Sequence, residues 1–422
     1  MADSARTYRR VRPTGGFVKT VFACTAALYL GTSAYAQSGP SPGAASRPVL
    51  RFMGESAAST EGELDQIFAA LDHSRLDQAL KLTDRLIAQH PNFKLAYLIR
   101  GDLLLAHTSP ITTIGNAPNA SEDSLKDLRE EAIVRLRAYR DRPASNMFPR
   151  DLLQLRADQH SAVVVDTMKS RLYVYGNDHG RPRFLADYYI TQGKLGADKE
   201  KEGDQKTPVG VYRITSRLPK RKLAAIYGDA ALPIDYPNEW DRLNGRTGHG
   251  IWLHGTPSDT YSRPPKASDG CVVLSNPDLQ ALIHSVQIGV TPVIISDHVE
   301  WLKIDEWNAQ RSSLQHALEN WREDWESRDI DRYLSHYSKR FSSDTEALRQ
   351  WSSRKRQVNA GKEWVQVRVG NVAMLRYPGN EDMVVVTFDQ NYRSNNMSNS
   401  VQKTQYWVRE NNRWKIVYEG VN

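Results

Sequence analysis

Hydrophobic positions along the 422-residue chain change their period twice, and the two changes divide it into three structured parts. In the first, about 57–157, Leu64, Ile67, Phe68 and Leu71 recur at helical spacing, then Leu76, Leu80, Leu82, Leu86 and Ile87, then Leu95, Leu98, Leu103 and Leu104. Apolar residues three and four apart form one stripe on an α-helix, so each group predicts a helix with one buried face. His90-Pro91-Asn92 breaks the second group from the third, which makes the pair a helical hairpin, and a further amphipathic helix is expected over about 121–139.

From Ser161 the period shortens to that of strands. Ser161-Val165 and Arg171-Tyr175 flank a turn and predict a hairpin, followed by strands at 187–191, 210–215, 250–254, 271–275 and 291–295. Asn276-Pro277 opens a helix whose Leu279, Leu282, Ile283 and Val286 line one face and which Gly289 ends. A mainly-β domain over 158–298 is therefore expected, with His254 ending one strand and Cys271 starting another. The last part, 310–422, begins with helices carrying Leu318, Trp321, Trp325, Tyr333, Leu334, Tyr337 and Phe341, and ends in strands at 363–369, 383–390, 403–409 and 414–418. Helices followed by an antiparallel, aromatic-rich sheet predict an α+β cone. The fold class is multidomain: a small α-helical region, a central mainly-β domain and a C-terminal α+β cone.

The N-terminus has the layout of a secretory signal over 1–36: Arg9, Arg10, Arg12 and Lys19, then the apolar run Val21 to Leu30, then Ala34-Tyr35-Ala36. An acylated Cys24 is disfavoured by bulky Phe22, and the apolar run is short for a membrane span. Residues 37–56, rich in Ser, Pro, Gly and Ala, read as a flexible leader. Cleavage after Ala36 would remove five basic residues and one acid, so the formal charge of +7 would fall by 4 to +3. That mild balance excludes a nucleic-acid footprint and suits a polymer rich in carboxylates. A periplasmic product with no stable membrane span is expected.

Cleavage would also leave Cys271 as the sole cysteine. An unpaired thiol on an exported protein, placed soon after a strand-end histidine, points to a nucleophile, with His254 as general base and then acid. Gly255 and Gly270 leave room for a substrate backbone, and the N–H groups of Gly270 and Cys271 are candidate oxyanion donors. His249 is an alternative base or a substrate ligand, and Arg246 and Lys206 are candidate carboxylate grips. A metal site of His249, His254 and Cys271 lacks a second cysteine or a suitably spaced acid, so neither metal nor organic cofactor is expected. The run Lys199 to Lys206 reads as an exposed loop, and Tyr236-Pro237-Asn238 as a rigid one.

Gly203-Asp204-Gln205-Lys206-Thr207-Pro208-Val209-Gly210-Val211-Tyr212, Tyr236-Pro237-Asn238, Gly245-Arg246-Thr247-Gly248-His249-Gly250-Ile251, His254-Gly255 and Ser268-Asp269-Gly270-Cys271 resemble the YkuD-type L,D-transpeptidase domain of bacterial cell-wall enzymes. The resemblance covers about Ser161 to Ser296. The helical hairpin resembles a single tetratricopeptide unit, too little for a solenoid. A layer packed on the next domain is expected there rather than a docking array. In composition and order the cone resembles the nuclear-transport-factor-like fold; it shows no evident His–Asp pair, so a structural or substrate-binding accessory role is expected. An extra cone at this place resembles the subgroup related to the D,L-carboxypeptidase that trims wall tetrapeptides.

The resemblance implies that Cys271 attacks the diaminopimelate carbonyl of a peptidoglycan stem peptide, expels D-alanine and forms a thioester, with Gly270 and Cys271 lining the oxyanion site. Transfer to an amine gives a cross-link, and transfer to water gives L,D-carboxypeptidase or amidase activity. A catalytically silent wall-binding scaffold is the remaining alternative, with other wall-enzyme proteins recruited by the helical region or cone. The family commonly has His or Arg where this chain has Asp269. A carboxylate there opposes thiolate formation, so Asp269 is expected to face away or to hold a cation, such as a substrate amine.

Overall fold

The computed structural model describes residues 59–116, 121–379 and 381–421. The signal expected over 1–36, with Cys24, and the leader expected over 37–56 lie outside them. No described helix is long and apolar enough to cross a membrane.

The helical region contains Thr60–Asp72, Leu76–Gln89, Lys94–Ala106 and Glu122–Arg140. Ser59 caps the first helix by accepting the Gly62 N–H at 3.1 Å. Leu64, Ile67, Leu86, Leu95 and Leu103 close into one cluster that also takes in Tyr261 of the following domain. The helices are thus a layer packed on that domain. Charges are buried at the same boundary: Arg135 contacts Glu61 and Glu131, while Arg171 contacts Glu61 and Asp187.

The central domain packs two sheets face to face. Five strands are ordered Arg181–Tyr189, Arg171–Asp178, Ser161–Asp166, Pro292–Ser296 and Gly210–Arg213. Four shorter ones are ordered Val272–Val273, Trp252–His254, Ala230–Pro233 and Leu218–Pro219. Val163, Val165 and Leu172 of one sheet meet Leu232, Leu253 and Val272 of the other, with Leu279 and Leu282 from the helix Asn276–Ser285. Ser275 caps that helix by accepting the Asp278 N–H at 3.2 Å. The helix ends at Ser285, where Val286 turns extended, and not at Gly289.

The cone's sheet has six strands, ordered Tyr337–Ser343, Arg413–Val421, Met397–Glu410, Met383–Ser394, Val365–Tyr377 and Leu152–Gln154. Trp307, Leu314, Leu318 and Trp321 of the helix Ile304–Glu326 pack on Val384, Val386, Phe388 and Trp407. Three expectations are corrected here. Tyr337 and Phe341 lie on a strand, because the preceding helix stops at Ser335 and the following residues pair with Arg413–Val421. Leu152–Gln154, expected with the helical region, completes the edge of the cone's sheet. The cone also holds a His–Asp pair, His336 Nε2 lying 2.7 Å from Asp324 Oδ2.

Candidate active site

The histidine strand Trp252–His254 and the cysteine strand Val272–Val273 run parallel, with Leu253 opposite Val272 and His254 opposite Val273. Strand side chains alternate between faces. Leu253 and Val272 enter the core, which leaves Trp252 and His254 on the opposite face, and Cys271, two residues before Val273, joins them there. Residues on one face of paired strands and one pleat apart have Cβ atoms about 7–8 Å apart, within reach of a side chain as long as histidine.

His254 is 3% exposed and its Nδ1 lies 2.7 Å from the Gly255 carbonyl oxygen. A carbonyl only accepts, so Nδ1 carries the proton and Nε2 is left as the basic nitrogen. Tyr227 packs edge-on against the imidazole, ring centres 5.0 Å apart, and also against Trp252 at 4.9 Å. Burial lowers the His254 pKa to about 4; the Gly255 bond opposes this and the Arg263 charge adds to it. Cys271 is half-buried, and its Sγ donates weakly to the Gly250 carbonyl at 3.5 Å. Burial pushes the thiol up to about 11, only partly offset by the Trp252 N–H, while Asp269 raises it further and Arg263 and Lys199 lower it. The resting pair is therefore thiol and neutral imidazole, not thiolate and imidazolium.

Gly270 has a φ of +122°, and a Cβ there would meet the Lys206 carbonyl oxygen at 2.7 Å. Glycine is required both by the backbone angle and by the space. Its N–H donates to Ser268 Oγ at 3.2 Å, and the Ser268 hydroxyl donates to the Cys271 carbonyl at 2.6 Å. The Gly270 N–H expected to be an oxyanion donor is thus already engaged. Among the described residues the Cys271 N–H donates in none of the turn, loop or cap backbone hydrogen bonds.

The remaining candidates disperse. Asp269 holds a cation from its own chain: Lys194 Nζ donates to Oδ1 at 2.9 Å and Gln205 Nε2 at 3.1 Å. Arg246 is turned inward, its guanidinium 2.9 Å from Asp198 and donating to the Lys199 carbonyl at 3.1 Å. His249 is exposed, with Nδ1 3.5 Å from Glu202. The Lys206 ammonium has no ion pair among the described residues. Lys199 is buried and its ammonium donates to Asp204 at 2.7 Å, so the 199–206 run is a folded, internally bonded loop and not a merely exposed one. Asn238 caps the short helix Glu239–Leu243, which explains the rigidity of 236–238.

Three neighbours of the site had no role assigned from the sequence, though Ser268 belongs to the motif that ends in Cys271. Arg263, on the connection from His254 to Cys271, donates to the Ile226 carbonyl at 2.9 Å and bears electrostatically on both catalytic candidates. Tyr227 walls the imidazole, and Ser268 braces the backbone before the thiol. A second concavity, of 610 Å³, lies in the cone and is lined by residues including Trp325, Tyr333, Trp351, Lys355, Lys403 and Glu419.

Residues 160–295 match the L,D-transpeptidase catalytic domain YkuD, and residues 313–420 match the Cds6 C-terminal NTF2-like domain. Among solved structures, Bdellovibrio bacteriovorus Bd1075 is similar at 28% identity and a TM-score of 0.59, over 65% of this chain and 98% of that one. The helical cell shape determining protein Pgp2 from Campylobacter jejuni is similar at 26% identity and a TM-score of 0.56, over 70% of this chain and 100% of that one. No curated protein matches the chain. The protein carries a YkuD-type L,D-transpeptidase catalytic domain, preceded by a helical layer and followed by an NTF2-like domain.

Proposed function

We propose that the protein is a periplasmic acyl-transfer enzyme acting on peptidoglycan stem peptides through a thioester on Cys271. The observation that carries this reading is the parallel pairing that sets His254 and Cys271 on one face, with His254 Nδ1 tied to Gly255 and Nε2 free. Support comes from the catalytic-domain match and from the likeness to a cell-shape protein.

With both groups neutral at rest, a thiolate makes up only about 10⁻⁴ of the thiol at pH 7. Attack must therefore be coupled to transfer of the Sγ proton to His254 Nε2 as the S–C bond forms. The carbonyl π electrons move onto oxygen, where the Cys271 N–H is the remaining candidate backbone donor. As the intermediate collapses, the C–N bond to the terminal D-alanine breaks and His254 returns the proton to the leaving amine. An acceptor amine or water then attacks the thioester by the reverse sequence.

Incubation with a disaccharide tetrapeptide, followed by intact-protein mass spectrometry, tests the reading. An acyl adduct on Cys271 is expected with the wild type, and its formation should slow about 10²- to 10⁴-fold in His254→Ala. Cross-linked products would mark transfer to an amine, and tripeptides transfer to water. Absence of any adduct on a thiol that still reacts with a small alkylating agent would exclude acyl transfer.

A further inference from the structure

The cone reaches the cysteine turn through a chain of polar contacts, buried at Tyr377 and Asp241 and exposed where Lys194 meets Asp269. Tyr377, at the end of the cone strand Val365–Tyr377, inserts its phenol into the catalytic domain and donates to Asp241 Oδ1 at 3.2 Å. Gly210 leaves the room for it, since a Cβ there would lie 2.6 Å from the Tyr377 hydroxyl and 2.7 Å from that of Tyr212. Asp241 has no solvent exposure, and its other oxygen accepts the Asn238 N–H at 3.1 Å. Arg246 is held over it, its backbone N–H donating to the Asp241 carbonyl at 2.9 Å and its guanidinium 3.9 Å from the carboxylate.

Arg246 then grips the loop that walls the cleft, through Asp198 and the Lys199 carbonyl. Inside that loop Asp204 gathers the Lys199 ammonium and the backbone N–H groups of Glu200, Lys201 and Lys206. The loop ends against the nucleophile's own turn: the Lys206 carbonyl lies beneath Gly270, and Gln205 and Lys194 hold Asp269. A buried polar group that loses its partner keeps its full desolvation cost, so the buried Tyr377–Asp241 and Lys199–Asp204 links resist being broken singly.

We propose that Tyr377 of the cone is a positioning residue for the nucleophile: through Asp241, Arg246 and the loop 194–206 it keeps Asp269 clamped and Gly270 in place beside Cys271. The proposal rests on Cys271 being the reactive group of the site. It has a definite sign. The charged groups bearing on the sulfur are Asp269, Arg263 and Lys199, with Lys194 acting through Asp269. Releasing the loop leaves the Asp269 carboxylate without Lys194 and moves Lys199 away, and both changes make the thiol harder to ionise.

Iodoacetamide alkylation of Cys271, followed by mass spectrometry across pH 7 to 10, reads this without any wall substrate. Tyr377→Phe keeps the ring and removes the hydroxyl. It should slow alkylation about three- to tenfold at each pH, and the slowing should largely vanish when Asp269→Ala is added. Asp198→Ala, an exposed change that removes one of Arg246's two holds on the loop, should act in the same direction and serves if Tyr377→Phe fails to fold. Alkylation at the wild-type rate in both variants, or effects of Tyr377→Phe and Asp269→Ala that simply multiply, would overturn the proposal. A wild type that alkylates normally yet forms no adduct with a muropeptide would instead defeat the proposed function and leave this inference standing.

Discussion

The two accessory regions dock on the catalytic domain by different chemistry. The helical layer docks directly on the connection between His254 and Cys271: Tyr261 sits against Phe93 with ring centres 4.4 Å apart, and Ser262 donates to Glu131 at 2.7 Å. Around those contacts lies the buried ion network of Glu61, Arg135, Arg171 and Asp187, with the Arg135 guanidinium 3.9 Å above the Tyr189 ring. The cone instead docks through apolar and aromatic surface, Trp240 on Tyr406 at 5.5 Å and 18° and Leu375 among Val164, Tyr173 and Ile294, with a buried phenol–carboxylate bond from Tyr377 to Asp241. A charge network is intolerant of losing one member, because the partner is left buried and unpaired, whereas an aromatic stack loses only its area. The helical face should therefore behave as a permanent part of the catalytic unit and the cone face as the more separable one.

That difference can be broken or sharpened by measurement. The largest effect expected is at the His254–Cys271 site, which lies between the two accessory regions in sequence. With the thiol near 11 and the histidine near 4, both shifted by burial, alkylation of Cys271 should rise about tenfold per pH unit, or about a thousandfold from pH 7 to 10. The sign follows from the raised thiol pKa, since the thiolate fraction keeps growing until the pH passes it. A plateau between pH 6 and 9 would reveal a preformed thiolate–imidazolium pair and a looser, wetter cleft.

Next in size, Arg171→Ala leaves Glu61 and Asp187 without that partner and should cost about 3–5 kcal/mol in urea unfolding, with early proteolytic release of the helical layer. A loss under about 1 kcal/mol would mean that water compensates those carboxylates and that the helical face is not the firmer one. The smallest effect belongs to the cone. Trp240→Ala removes a half-buried stacked ring and should cost about 1–2 kcal/mol, seen as earlier unfolding of the cone while the catalytic core keeps its transition. Equal losses in the two variants would erase the contrast.

Much of the architecture was legible because it is local. The helix Glu122–Arg140 and the hairpin Ser161–Asp166 with Arg171–Asp178 each announce themselves by apolar period within about twenty residues. So does the placing of His254 at a strand end and Cys271 just before a strand, which the parallel register then set on one face. Legibility failed where a distant partner decides. Tyr333, Tyr337 and Phe341 are spaced as on a helix, yet pairing with Arg413–Val421 pulls the last two into a strand. Leu152–Gln154 gave no sign of the cone sheet it completes with Val365–Tyr377. Lys199 and Asp204 looked like solvated loop charges and are a buried pair, and Arg263 looked like one more loop cation.

The sequence by itself determined most of the elements, their order and the two residues proposed here for acyl transfer, because period, capping and residue chemistry are written within a few positions. Only the tertiary structure decided how reactive those two residues are and what holds them. Their neutral resting state comes from burial, and Asp269 is held by Lys194 and Gln205 across the cleft. The wall behind Asp269 is reached from Tyr377 through contacts between residues more than a hundred positions apart. Desolvation and long-range hydrogen bonding depend on which surfaces meet, and no local pattern records that.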